Sequence, residues 1–188
     1  MFATSARQPA TPVADRDQPG AGAPGHPAPP FRKREFRETL GCFPTGVTVV
    51  ATHDAHGAPF GLTCNSFTSV SLTPPLVLWC LALHSANLPT FLEAPYFSIT
   101  VLSTGQEALS RRFSSPVPDR FEGIEHAPGA SGVPLIAGCA AHLECRTESH
   151  QYTGDHVIFI GHVVRFAHTA RAPLVFYQRQ YNTLVERL

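Results

Sequence analysis

The chain has 188 residues, and its 14 Lys and Arg balance its 14 Asp and Glu, so its formal net charge is zero. At roughly 100–200 residues per domain, that is one domain and not comfortably two. Balanced charge argues against a nucleic-acid binder, which carries a basic stripe, and against a polybasic membrane-surface protein; no run approaches the ~18 apolar residues that span a bilayer.

The first residues lack the apolar core of a secretory signal. The five cysteines, at 42, 64, 80, 139 and 145, are widely spaced and form no CxxC pair. They read as reduced thiols of a cytoplasmic protein. Residues 1–30 contain seven Pro, seven Ala and three Gly. Such a stretch buries too little apolar surface to offset its ordering entropy, so a disordered tail is expected there, with one domain over 31–188.

In chain order, Phe36, Leu40 and Phe43 recur at helical spacing, and Gly41 and Pro44 close that helix. GVTVVAT (46–52) reads as a buried β-branched strand. AHGAPFG (55–61) is a turn into a second strand. PPLVLWCLAL (74–83) is another buried strand. A short helix is expected over 85–94, with Ser85 as its cap and Pro89 in its first turn. YFSITVLS (96–103) is a strand and GQEALSRRF (105–113) a short helix. CAAHLECRTESH (139–150) alternates as a strand with one face more apolar. HVIFIGHVVRFAH (156–168) is a long strand, and Gly161 predicts a bulge or barrel bend in it. PLVFYQRQYNTL (173–184) reads as a short strand, then coil. Strands without long intervening helices point to a mainly β fold, a small antiparallel barrel with capping helices.

Standard signatures are missing: there is no GxGxxG after a strand, and no P-loop, GxSxG or HExxH. His142, His150, His156, His162 and His168 lie on strands or turns without tight ligand spacing, and Asp and Glu do not cluster with them, so no metal site is expected. Three segments hold concentrated polar groups: FPTGV (43–47), LTCNSFTSVSLTPP (62–75) and HSAN (84–87). Their hydroxyls, amides and turn N–H groups can hold a phosphate, or they can satisfy their own backbone.

Taken in order, FPTGVTVV (43–50), LTCNSFTSVSLTPPLV (62–77), FSITVLS (97–103), QEALSRRF (106–113), DRF (119–121), GDHVIFIGHV (154–163) and LVFYQRQYNTL (174–184) resemble the short-chain flavin reductase family. Its members are the NAD(P)H-dependent reductase components of two-component flavin monooxygenases. The resemblance implies a Greek-key-like split β-barrel that binds FMN or FAD at a homodimer interface, with NADH or NADPH as co-substrate and a monooxygenase as partner.

It also assigns roles. Thr45 and Gly46 would border the isoalloxazine ring. Thr63, Cys64, Asn65 and Ser66 would follow the ring edge and ribityl chain, largely through main-chain groups. Cys80 and Ala82 would meet the pyrimidine side, Ser85 and Asn87 would hold the phosphate, and Phe113 would close an apolar wall. His156, oriented by Asp155, would sit near the nicotinamide. Tyr177 and Tyr181 either border the nicotinamide pocket or pack the C-terminal segment. The basic residue that many relatives carry before the phosphate-binding Ser is here Leu83–His84, which leaves Arg111 and Arg112 as candidate sources of positive charge. Two further readings are a flavin-binding module without turnover, and an oxidase acting on pyridoxine phosphate or haem.

Overall fold

A computed structural model describes residues 31–184; the Pro-, Ala- and Gly-rich segment 1–30, with the tail expectation that falls on it, and residues 185–188 lie outside the described residues. The elements are α1 (Lys33–Leu40), β1 (Thr45–Gly46), β2 (Thr48–His53), β3 (Pro59–Cys64), β4 (Thr68–Leu72), β5 (Pro75–Ala82), α2 (Leu88–Glu93), β6 (Tyr96–Val101), α3 (Glu107–Ser114), β7 (His126–Pro128), β8 (Pro134–Ile136), β9 (Ala141–Thr153), β10 (His156–His168), β11 (Leu174–Tyr177) and β12 (Gln180–Thr183). The fold is mainly β and antiparallel, of the split-barrel type. The main sheet runs β3-β2-β6-β9-β10-β5-β4, and smaller sheets run β1-β11-β12 and β7-β8.

The main sheet must curl. Laid flat, seven strands would separate β3 from β4 by ~29 Å. Only residues 65–67 join them, and four residue steps span at most ~14 Å. The curl is staggered. Through β6, β9 and β10, the level of Thr48 passes Val101 and Ala141 to reach His168. Through Cys64, the Ser66 bridge to Cys80 and then β5, it reaches Ile158, ten residues away on the same strand. Such a stagger is the shear of a tilted-strand barrel.

Strand alternation fills the interior. Leu62, Val77, Trp79, Leu81, Phe97, Ile99, Val157 and Phe159 point inward, with Leu88 and Phe91 of α2 packed among them. Trp79 stacks on Phe159 with centroids 4.6 Å apart, and Phe91 and Phe97 meet its edges. Each such buried side chain contributes about 1.5–3 kcal/mol. The register of β10 against β9 shifts at Ile160/Gly161, as the glycine predicts. A Cβ there would lie 2.5 Å from Phe97 Cζ, so the missing side chain is the space Phe97 occupies. A second core of Val47, Val49, Ala51, Leu102, Phe113, Phe121 and Leu174 lies on the other face of β2, under α3 and the small sheet.

Several elements differ from the sequence reading. Helix α2 starts at Leu88, not Ser85, because residues 85–87 form a turn and the helix opens around Pro89. The hydroxyl-rich segment includes a strand, β4, which pairs with the first half of β5. The C-terminal coil is a strand, β12, that forms a hairpin with β11. On β9, the more polar face carries Glu144 at 3% exposure. The turn before β8 covers its carboxylate, and Ser131 donates to it from both N and Oγ, at 2.9 and 2.6 Å. Among the described residues no helix is long and apolar enough to cross a membrane, and all five cysteines are free.

Candidate active site

The barrel has a seam. β4 occupies the edge of β5 only from Pro75 to Leu78. At residues 79–82 that edge is free of β4, and side-chain bonds from the β3–β4 connection replace a strand ladder at Cys80. Ser66 Oγ accepts from Cys80 N at 2.8 Å and reaches Cys80 O at 3.3 Å. Cys64 Sγ lies 3.0 Å from Ser66 Oγ. Because Leu62 and Cys64, Trp79 and Leu81, and Val157 and Phe159 point inward, alternation puts Thr63, Cys80, Ala82 and His156 on the outer face. Register sets Ala82 beside His156 and Cys80 beside Ile158.

Thr45 and Gly46 lie at one end of this seam. Thr48, three residues on, donates Oγ1 to Cys64 O at 2.7 Å and so holds the β1–β2 corner against the end of β3. Thr45 Oγ1 is buried and has no partner among the described residues. An unpaired buried hydroxyl costs free energy, which a ligand's polar group at this corner would offset. Nothing would meet a Cβ at Gly46, which leaves open space above the corner.

Ser85 and Asn87 lie at the other end. Ser85 Oγ accepts from Asn87 N at 3.3 Å. Leu83 N donates to Asp155 O at 2.9 Å, tying this turn to the β9–β10 turn. Asp155 in turn fixes His156, whose Nδ1 lies 2.6 Å from Asp155 Oδ1. A carboxylate only accepts, so Nδ1 carries the proton and Nε2 is free. That hydrogen bond holds the Asp155 carboxyl below its ordinary range.

The positive charge at this end comes from Arg120. Its guanidinium donates to Gly61 O at 3.0 Å and Ser115 O at 3.0 Å, and approaches Asn87 Oδ1 at 3.5 Å. Burial pushes its pKa down from the usual arginine value. Arg111 and Arg112, the candidates from sequence, are engaged elsewhere. Arg111 pairs with Glu107 and covers the Tyr181 ring, and Arg112 donates to Arg120 O and Asp119 O. Sequence reasoning missed Arg120, although it stands inside DRF, one of the matching segments.

The remaining residues divide by what their side chains already do. Thr63 Oγ1 donates to Ser110 O at 2.6 Å, and Ser110 Oγ lies 2.9 Å from Tyr181 Oη, so Tyr181 braces β3 through α3. Tyr177 is exposed at the end of β11. Phe113 is 1% exposed inside the second core. It packs on Gly61, where a Cβ would lie 3.1 Å from its ring, and so it supports β3 from behind and does not wall an open site. The hydroxyls of Thr63 and Ser66 serve the fold, while Ser85 Oγ accepts from Asn87 N and keeps its O–H to donate; that leaves Thr45 Oγ1, Ser85, the exposed Asn65, Asn87, Arg120 and main-chain groups for a ligand. Burial pushes the Cys80 thiol above its ordinary pKa, so it is an uncharged S–H at neutral pH.

A staggered antiparallel barrel with a polar seam that ends in an arginine is a split barrel with a candidate site on its outer face. The chain belongs to the flavin reductase-like family, whose domain model matches residues 40–185. It is 47% identical over 143 residues to the NADH-dependent FMN reductase SmoA of Agrobacterium fabrum, covering 76% of this chain and 81% of that protein. It is 44% identical over 153 residues to a probable flavin reductase of Rhizobium meliloti, covering 81% of this chain but only about half (49%) of that protein. The solved NADH:FAD oxidoreductase of Streptomyces globisporus, in complex with NAD and FAD fragments, superposes with a TM-score of 0.79 at 37% identity, covering 86% of this chain and 98% of that one.

Proposed function

We propose that this chain is an NAD(P)H-dependent flavin reductase that passes reduced FMN or FAD to a separate monooxygenase, working as a cytoplasmic homodimer. The observation that carries it is the orphaned Thr45 hydroxyl at one end of a seam whose other end holds Asn87 and Arg120. A polar, planar ring with an anionic tail fits that donor set. Thr45, Gly46 and the main chain of 63–66 would hold the ring, and Ser85, Asn87 and Arg120 the phosphate. A flavin bound there supplies a two-electron acceptor for the nicotinamide hydride.

The chain's own residues do the positioning. Fixed main-chain donors along the ring edge need no reorganisation as negative charge develops there. His156, its proton held on Nδ1 by Asp155, stands at the Ser85 end of its own seam, so it would offer Nε2 to the carboxamide of a nicotinamide seated at the ring end of a partner copy's seam. Arg120 is one partly buried cation, already shared with three oxygens. That grip suits a product that must leave.

The second copy is argued from the outer face of β5 and β10. Leu76, Leu78, Ile158 and Ile160 lie there, only half-buried, where a solvated sheet face carries polar residues. The patch adjoins Cys80, Ala82 and His156, so a partner seated on it would complete the site. Flavin titration tests the reading: quenching of FMN fluorescence with micromolar affinity supports it, and no binding of FMN, FAD or riboflavin contradicts it.

A further inference from the structure

The β11–β12 turn departs from what its geometry prefers. Gln178 and Arg179 both have left-handed backbones, at φ 46° and 65°. A two-residue hairpin turn of that kind favours Asn-Gly, and a larger side chain there costs roughly 1–2 kcal/mol. Strain of this sort persists where the surroundings hold it, and it clusters at ligand sites. Here Gln178 N donates to Gly41 O at 3.1 Å, pinning the turn against the end of α1.

Between the turn and α1 lies a cleft of about 710 Å³, lined by Arg34, Arg37, Glu38, Gly41, Gln178 and Arg179. Glu38 pairs with Arg34 at 2.9 Å. Arg37 and Arg179 have no carboxylate partner among the described residues. The cleft is therefore net positive in a chain with no net charge, and its size suits a nucleotide arm.

Its place decides which arm. Gly41 is four residues from Thr45, at most ~14 Å along the chain, and Thr45 pairs with Phe176, two residues before the turn. The cleft thus adjoins the ring end of the seam. The flavin phosphate end, at Ser85, Asn87 and Arg120, is the other end, so the adenosine part of an FAD would extend away from the cleft. The geometry points to this cleft as the site for the adenosine diphosphate arm of the nicotinamide co-substrate, with Arg37 and Arg179 on its phosphates. The inference rests on the reductase reading for the identity of the dinucleotide.

The test uses the double variant Arg37→Ala, Arg179→Gly. Glycine suits the left-handed turn, so the fold is kept while the charges go. With saturating FMN, KM for NADH should rise about tenfold or more, the scale of lost charge-assisted bonds. The kcat and the KM for FMN should stay at wild-type values. Reduced nicotinamide mononucleotide, which lacks the adenosine arm, should show the same KM in both proteins. ADP-ribose should bind the wild type in calorimetry and not the variant. An unchanged KM for NADH, or equal rises for NADH and the mononucleotide, would overturn the assignment. ADP-ribose binding lost in the variant, from a wild type that oxidises no NADH with any flavin, would uphold the cleft and remove the reductase reading.

Discussion

Thr45 is the residue on which structure and function separate most cleanly. Its Oγ1 is buried and unpartnered, so Thr45→Val should leave stability unchanged or raise it by up to about 1 kcal/mol, while weakening FMN binding by a similar amount. Melting curves and flavin titration on one preparation check both. A destabilised variant with normal affinity would mean that the hydroxyl serves the fold. Arg120 makes a different prediction because it should recognise the phosphate. Arg120→Ala should weaken FMN binding by about 1.5–3 kcal/mol and change riboflavin binding far less. Equal losses for the two flavins would place Arg120 as a brace for the 115–120 loop only. Such distinctions were not legible in the sequence. The three polar segments announce a site, but which hydroxyls are free depends on Ser110 and Cys80, each more than ten residues away in the chain.

At the scale of elements, the sequence shows β2, β5, β6 and β10 because burial makes continuous or alternating apolar runs. It hides β4 and β12, whose ladders lie at sheet edges and carry polar side chains. It also hides the burial of Glu144, which comes from a turn thirteen residues upstream closing over β9. Burial pushes this carboxyl up, but donors from Ser131 and Ala130, with the charge of Arg165, hold it below the ordinary glutamate value of 4.5. A depressed native pKa gives stability that is present above 4.5 and lost as pH falls through the native value. Glu144→Gln should therefore cost about 1–3 kcal/mol at neutral pH. Its gap from wild type should close in acid. Urea midpoints across that range test this, and a gap independent of pH would contradict it.

The whole molecule is a barrel with a polar seam outside its core, where the proposed function places the flavin and which one chain leaves open. A dimer should bury the outer face of β5 and β10, so Ile160→Asp should yield monomers in sedimentation and lose turnover, while the interior packing around Trp79 keeps the fold. A wild type that is monomeric at micromolar concentration would contradict the shared site. Zero net charge, a partly buried Arg120 and main-chain donors suit the proposed role of binding flavin and letting it go. The most direct measurement is steady-state NADH and NADPH oxidation as FMN or FAD is added to the purified protein. The rate should rise with added flavin and saturate, with reduced flavin appearing free in solution. A protein that consumes neither nicotinamide with FMN, FAD or riboflavin would contradict the account.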